Sequence, residues 1–116
     1  MMRRAIASIV LVVPFLSNPL AAQTITLETY QNPGSETYRT MYQMYLAGAR
    51  DGLISYDAAV PADQRRFCLP RNLTMTAHQA EDMMLQWAKR QTSNIDNTPI
   101  SLALLRSFEE AFPCSR

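Results

Sequence analysis

His78 is the only histidine in this chain of 116 residues, and one imidazole builds neither a multi-histidine metal centre nor the ligand set of a catalytic zinc. It falls on the polar side of a helical stretch and reads as a solvated histidine. The carboxylates do not converge either. Glu109 and Glu110 are sequence neighbours, as are Glu81 and Asp82, so on a helix their side chains diverge by about 100° and cannot share a proton. Three glycines are too few for a phosphate-cradling loop, and no Gly-x-Ser-x-Gly elbow marks a nucleophile. Cys68 and Cys114 are the two cysteines; joined to each other, they leave no thiolate for catalysis or metal binding. Asn72-Leu73-Thr74 matches a glycosylation acceptor, a triplet common by chance. This inventory implies no enzyme, no cofactor and no metal, and it favours a binding or inhibitory module.

Whether the cysteines are joined depends on compartment. Arg3 and Arg4 precede an apolar run from Ala5 to Leu16, with Pro14, Asn18 and Pro19 as breakers and Ala21-Ala22 as a small-residue exit. Residues 1–22 therefore read as a secretory signal peptide cut after Ala22, and their apolar run is shorter than the roughly 20 residues that span a bilayer. Export places the protein in the periplasm, where two cysteines oxidise. A Cys68–Cys114 bridge closes a loop of 47 residues, 68 to 114 inclusive, which the chain-entropy model values at about 4 kcal/mol. The 94 residues left of 116 make one domain with a modest core, for which such a staple matters.

Two of the eleven Lys and Arg leave with the signal, against ten Asp and Glu that stay. A mature net charge near −1 is no footprint for nucleic acid or for an anionic membrane surface. Arg65, Arg66 and Arg71 lie together around a proline-bounded loop, which reads as a solvated face.

The pattern of apolar residues is helical. Residues 23–34 are polar and end in Asn32-Pro33-Gly34, so they read as an N-terminal tail and a turn, with a short strand at Thr24 to Thr29 lacking an obvious partner. From Ser35 the residues Tyr38, Met41, Tyr42, Tyr45, Leu46, Ala49 and Leu53 recur on one face, giving a first helix that ends near Gly52 and a tyrosine stripe of core plus rim. Gly48 and Gly52 share a face; either they let another backbone approach closely, or Gly52 is the left-handed cap of the helix. Residues 55–73, with Pro61 and Pro70, form the longest irregular segment, with a helical turn at 58–65. Thr76 and Gln79 form a capping box, and Met75 can staple onto Ala80. The helix that follows, to about Gln91, turns Ala80, Met83, Met84, Trp87 and Ala88 inward and Glu81, Asp82, Gln86, Lys89 and Arg90 outward. A polar connector, Gln91 to Asn97, leads to Thr98 as cap and Pro99 as first-turn proline. The third helix carries Ile100, Leu104, Phe108, Ala111 and Phe112 and is stopped by Pro113. The sum is an all-α domain over 35–116, of three to four helices, stapled by one long-range disulfide.

The run Tyr45-Leu-Ala-Gly-Ala-Arg-Asp-Gly-Leu53, followed by Phe67-Cys-Leu-Pro70, the amphipathic stretch Thr76 to Gln91 and the closing Ala111-Phe-Pro-Cys114, resembles the Tai family of type VI secretion amidase immunity proteins. The likeness covers roughly 38 to 114 and rests on the order and spacing of short structural motifs. It implies a periplasmic helical protein, typically a homodimer, that binds a secreted peptidoglycan amidase effector and blocks its active site with a protruding loop. Gly48, Gly52, Pro70, Pro113 and the two cysteines match as structural positions; no inhibitory residue transfers. A second resemblance, to periplasmic acid-stress chaperones of the HdeA kind, also fits a small helical protein with one disulfide, but Lys89 is the only lysine here.

Two connectors qualify as the partner-binding loop. Gln91 to Asn97 offers Asn94, Asp96 and Asn97 on a short tip between two strong helices, which loses little ordering entropy on docking. The longer segment from Tyr56 to Arg66 is the alternative.

Overall fold

A computed structural model describes residues 24–115. The expected signal peptide and its cut after Ala22 lie outside the described residues. Among the described residues four α-helices follow one another: α1 (Leu27–Gln31), α2 (Glu36–Ala59), α3 (Ala77–Lys89) and α4 (Ile100–Ala111), with a 3-10 turn at Ala62–Gln64. No helix among the described residues is long and apolar enough to cross a membrane.

The core is built on α4. Ile100, Ala103, Leu104, Ser107 and Phe108 are all buried on it, and the one polar member, Ser107, donates its hydroxyl to Leu104 O at 2.7 Å. Helices α3 and α2 supply Ala80, Met84 and Leu46, and Phe67 enters from the segment between them. Rings run in series across these elements. Tyr56 lies 5.5 Å from Phe67, Phe67 meets Phe108 edge-on at 5.4 Å, and Phe108 meets Phe112 edge-on at 5.9 Å. Such pairs add to the area term and fix the rings' relative tilt.

The expected disulfide is present between Cys68 and Cys114. Cys68 N also donates to Phe112 O at 2.8 Å, so backbone pairing and covalent bond together seat the irregular segment on the end of α4. The segment is further held from α2: Leu69 N donates to the Asp57 carboxylate at 2.9 Å, and Arg66 N to the Tyr56 hydroxyl at 3.2 Å.

Several boundaries differ from the sequence reading, each for a physical reason. Residues 24–31 are neither a loose tail nor a strand. Ile25 O accepts from Ile100 N and Thr98 O from Leu27 N, both at 2.9 Å, an isolated bridge joins Thr26 to Pro99, and α1 then buries Leu27 and Tyr30. A polar composition hid two core anchors. The same contact replaces the cap expected at Thr98: α4 starts at Ile100 with no side-chain cap, because the carbonyl of Ile25 serves its first orphan N–H.

Helix α2 runs past Gly52 to Ala59. Leu53 and Tyr56 continue its inner face, and the helix stops only where Pro61 pushes Val60 to extended backbone, at φ −93° and ψ 133°. Gly52 is thus an interior helix residue, and neither expectation for the glycines holds: the positive φ belongs to Gly34 in the α1–α2 turn, and no backbone approaches Gly48 or Gly52 within 4 Å of where a Cβ would stand. The tyrosine stripe is also less buried than expected, with Tyr38, Met41 and Tyr45 exposed and Leu46 the buried residue of α2. On α3 the capping box forms as read, with both bonds present. Trp87, Met83 and Ala88 are half-buried against the core, and Ala111 at the end of α4 is exposed.

Candidate partner-binding surface

The connector from Gln91 to Asn97 is short, polar and held from three sides. Helix α3 ends with Gln91 Nε2 donating to Trp87 O at 2.9 Å. Within the loop, Asp96 N donates to the Asn94 side-chain oxygen at 3.0 Å, an Asx turn that fixes the tip. Below it, Ile95 O accepts from Thr98 N at 2.9 Å, and Asp96 O accepts from Glu28 N at 3.1 Å. The residue Ile95 itself packs against the core. Asn94, Asp96 and Asn97 are all exposed. The structure therefore divides their roles: the Asn94 side chain shapes the loop, while those of Asp96 and Asn97 face solvent. Sequence reading named the three residues but missed the N-terminal segment that fastens them, because nothing in the polar run 23–31 signals a pairing with residues 96–100.

The alternative segment divides differently. Tyr56 to Ala59 belong to α2, and only Pro61 to Gln64 form an exposed turn. Arg65 reaches back to Val60 O and lies 4.0 Å from Asp57. Arg66 is 3.4 Å from Glu109, which also pairs with Arg106 at 3.3 Å. Both arginines thus serve intramolecular contacts, and Arg71 stands exposed apart from them.

Structural positions are as follows. Pro113 directly follows Phe112, whose carbonyl Cys68 binds, and Pro70 opens a turn in which Leu73 N donates to Pro70 O at 3.1 Å. A second polar feature lies where α1, α2 and α3 meet. The buried Tyr30 hydroxyl donates to Glu81, beside a cavity of about 220 Å³ lined by Arg39, Gln43 and Leu85. Burial first, then the Glu81 contact, hold the Tyr30 phenol well above its ordinary range. Glu81, expected outside, turns inward for this bond. Its neighbour Asp82 points outward, and His78 lies 3.9 Å from Glu81 and 3.7 Å from Asp82 on the exposed edge. His78 itself is exposed, so these contacts along one helix edge are screened by water and worth little individually.

Fold and surface define a class: a small all-α domain, stapled by a long-range disulfide and offering preorganised polar connectors. The family model of the Rap1a immunity proteins matches residues 18–114, nearly the whole described domain, and the chain belongs to that family. The match upholds an immunity protein and carries the Rap1a description rather than the Tai name. No curated protein and no solved structure matches the chain.

Proposed function

We propose that this protein is a periplasmic immunity protein that binds a type VI secreted peptidoglycan amidase and blocks it without catalysing a reaction. The observation that carries the reading is membership of the Rap1a immunity proteins over residues 18–114. It favours a dedicated inhibitor over a stress chaperone with many clients. Amidase as the target class is supported by the resemblance of the Tyr45–Leu53, Phe67–Pro70 and Ala111–Cys114 segments to amidase immunity proteins. Export is supported by the basic-apolar-small order of residues 1–22 and by the closed disulfide.

The contact is assigned to the 94–97 tip. Preorganisation supports this choice, because a loop already held by an Asx turn and by α1 gives up little entropy on docking. Asp96 and Asn97 supply exposed polar groups for a cleft, and Asn94 positions them.

The test directs an amidase from the protein's own genomic neighbourhood to the periplasm and scores rescue from lysis. Wild-type protein should rescue and should co-purify with the amidase in a fixed ratio. Asp96→Ala with Asn97→Ala should keep the fold and lose rescue, while Asn94→Ala should weaken rescue less. Full rescue by the double variant would move the contact to Pro61–Gln64. Failure to bind any amidase, together with suppression of aggregation of many unrelated proteins at low pH, would overturn the reading in favour of a chaperone.

A further inference from the structure

Arg39, Gln43 and Leu46 stand at steps of four and three on α2, and His78, Glu81 and Leu85 at steps of three and four on α3, so each set shares one helix face. Two cavities lie in the seam between these faces. One, of about 220 Å³, is lined by Arg39, Gln43, Glu81 and Leu85 and is closed from α1 by Tyr30 and Gln31. The other, of about 210 Å³, is lined by Leu46, Ala77 and His78. Gln43 and Glu81 line both, so the two cavities abut at these residues.

Glu81 is only half satisfied. Its side chain is 17% exposed, and its Oε2 accepts from the Tyr30 hydroxyl. Its Oε1 accepts no hydrogen bond among the described residues; the imidazole of His78, 3.9 Å away, is too far to donate. A carboxylate withdrawn from water is costly unless charge-assisted bonds replace the water it loses, and one neutral phenol does not supply them. On the α2 wall of the larger cavity stands the opposite charge. Arg39 pairs with Glu36 at 3.4 Å, but their side chains are 52% and 88% exposed, so water screens that pair and most of the five guanidinium N–H donors stay available. Leu46, buried, and Leu85, half-buried, add apolar lining, beside which charge pairs are screened less than on the open surface.

We propose that this seam binds a small zwitterion, a free amino acid or a short peptide, with its ammonium on Glu81 Oε1 and its carboxylate on Arg39. Gln43, with an amide that both donates and accepts, lies between them for the ligand's remaining polar atoms. A simple cation would leave Arg39 facing like charge, and a simple anion would face Glu81. Only a ligand carrying both signs answers both walls. The site is separate from the 94–97 tip, and the inference holds whether or not the protein inhibits an amidase.

Amide chemical-shift titration of the mature, disulfide-intact protein tests it, with L-alanine and L-alanyl-L-alanine as the amino-acid and peptide probes. At least one should give saturable shifts centred on Gln43 and Glu81, with a dissociation constant below about 10 mM; which of the two binds tighter identifies the source. Ethylamine and acetate, each carrying half of the recognised charge, should bind at least about tenfold more weakly. Glu81→Gln keeps an acceptor for Tyr30 while removing the charge, and Arg39→Gln changes an exposed position. Each should keep its circular dichroism spectrum and weaken the alanine probes at least about tenfold. Absence of saturable shifts with both probes would overturn the proposal. So would equal binding of ethylamine or acetate, or unchanged affinity in Arg39→Gln, the variant least able to disturb folding.

Discussion

Tyr30 shows how much one side chain can do in a core this small. Its ring is buried, and its hydroxyl meets the Glu81 carboxylate at the junction of three helices. Removing the hydroxyl by Tyr30→Phe keeps the ring packed but leaves a largely buried carboxylate without its donor. Because Glu81 retains some access to water, the loss should be about 1 to 2 kcal/mol, read from the urea midpoint. The pH dependence has a definite sign. Burial and Glu81 disfavour the tyrosinate in the folded state, so the folded protein holds this proton where the unfolded chain, titrating near 10, releases it. Stability from Tyr30 is therefore complete below about pH 10 and declines as the pH rises above it. The Phe variant should show a shallower decline between about pH 9 and 11 than wild type; identical slopes would show that Tyr30 does not couple to folding.

Among the elements, α1 is five residues long and yet links the chain start to the candidate loop. Its Leu27 is buried, its Glu28 N–H binds Asp96 O, and the residue before it, Thr26, caps it and bridges to Pro99. Leu27→Ala should cost about 2 to 4 kcal/mol in the core. It should also raise amide exchange at Glu28 and Ile100 beyond the average of α3, because their N–H groups donate to Asp96 O and Ile25 O across the contact that keeps α1 docked on the loop. Uniform loosening across the domain would instead separate the loop's order from α1. The helices that were legible, α3 above all, carry their signals locally: Thr76, Gln79 and the Met83/Met84 face lie within one stretch. The boundaries that were misread depend on partners distant in sequence. The α4 start is capped by Ile25, and α2 continues beyond Gly52 because Tyr56 finds Phe67.

The whole molecule depends on the disulfide. A domain of this size buries too little apolar surface for a wide margin, and Cys68–Cys114 spans a sequence separation of 46. Cys114→Ser should destabilise by about 2 to 5 kcal/mol, enough to abolish folding at 37 °C. Thiol titration of the unreduced, denatured wild type should find no free thiol. Two reactive thiols would contradict the bridge.

Composition and periodicity by themselves determined the all-α class, the cysteine pairing and the α3 capping box, since each is encoded in residue types at short spacing or in a count of two. They also named Asn94, Asp96 and Asn97. Tertiary structure alone decided that the exposed Asn94 side chain accepts from Asp96 N to shape the loop, that a polar N-terminal segment is a clamp, that Glu81 faces Tyr30, and that one row of α2 stays uncovered. Hydrogen bonds and burial between residues tens of positions apart set these features, and a local pattern carries no record of which distant surface a side chain will meet.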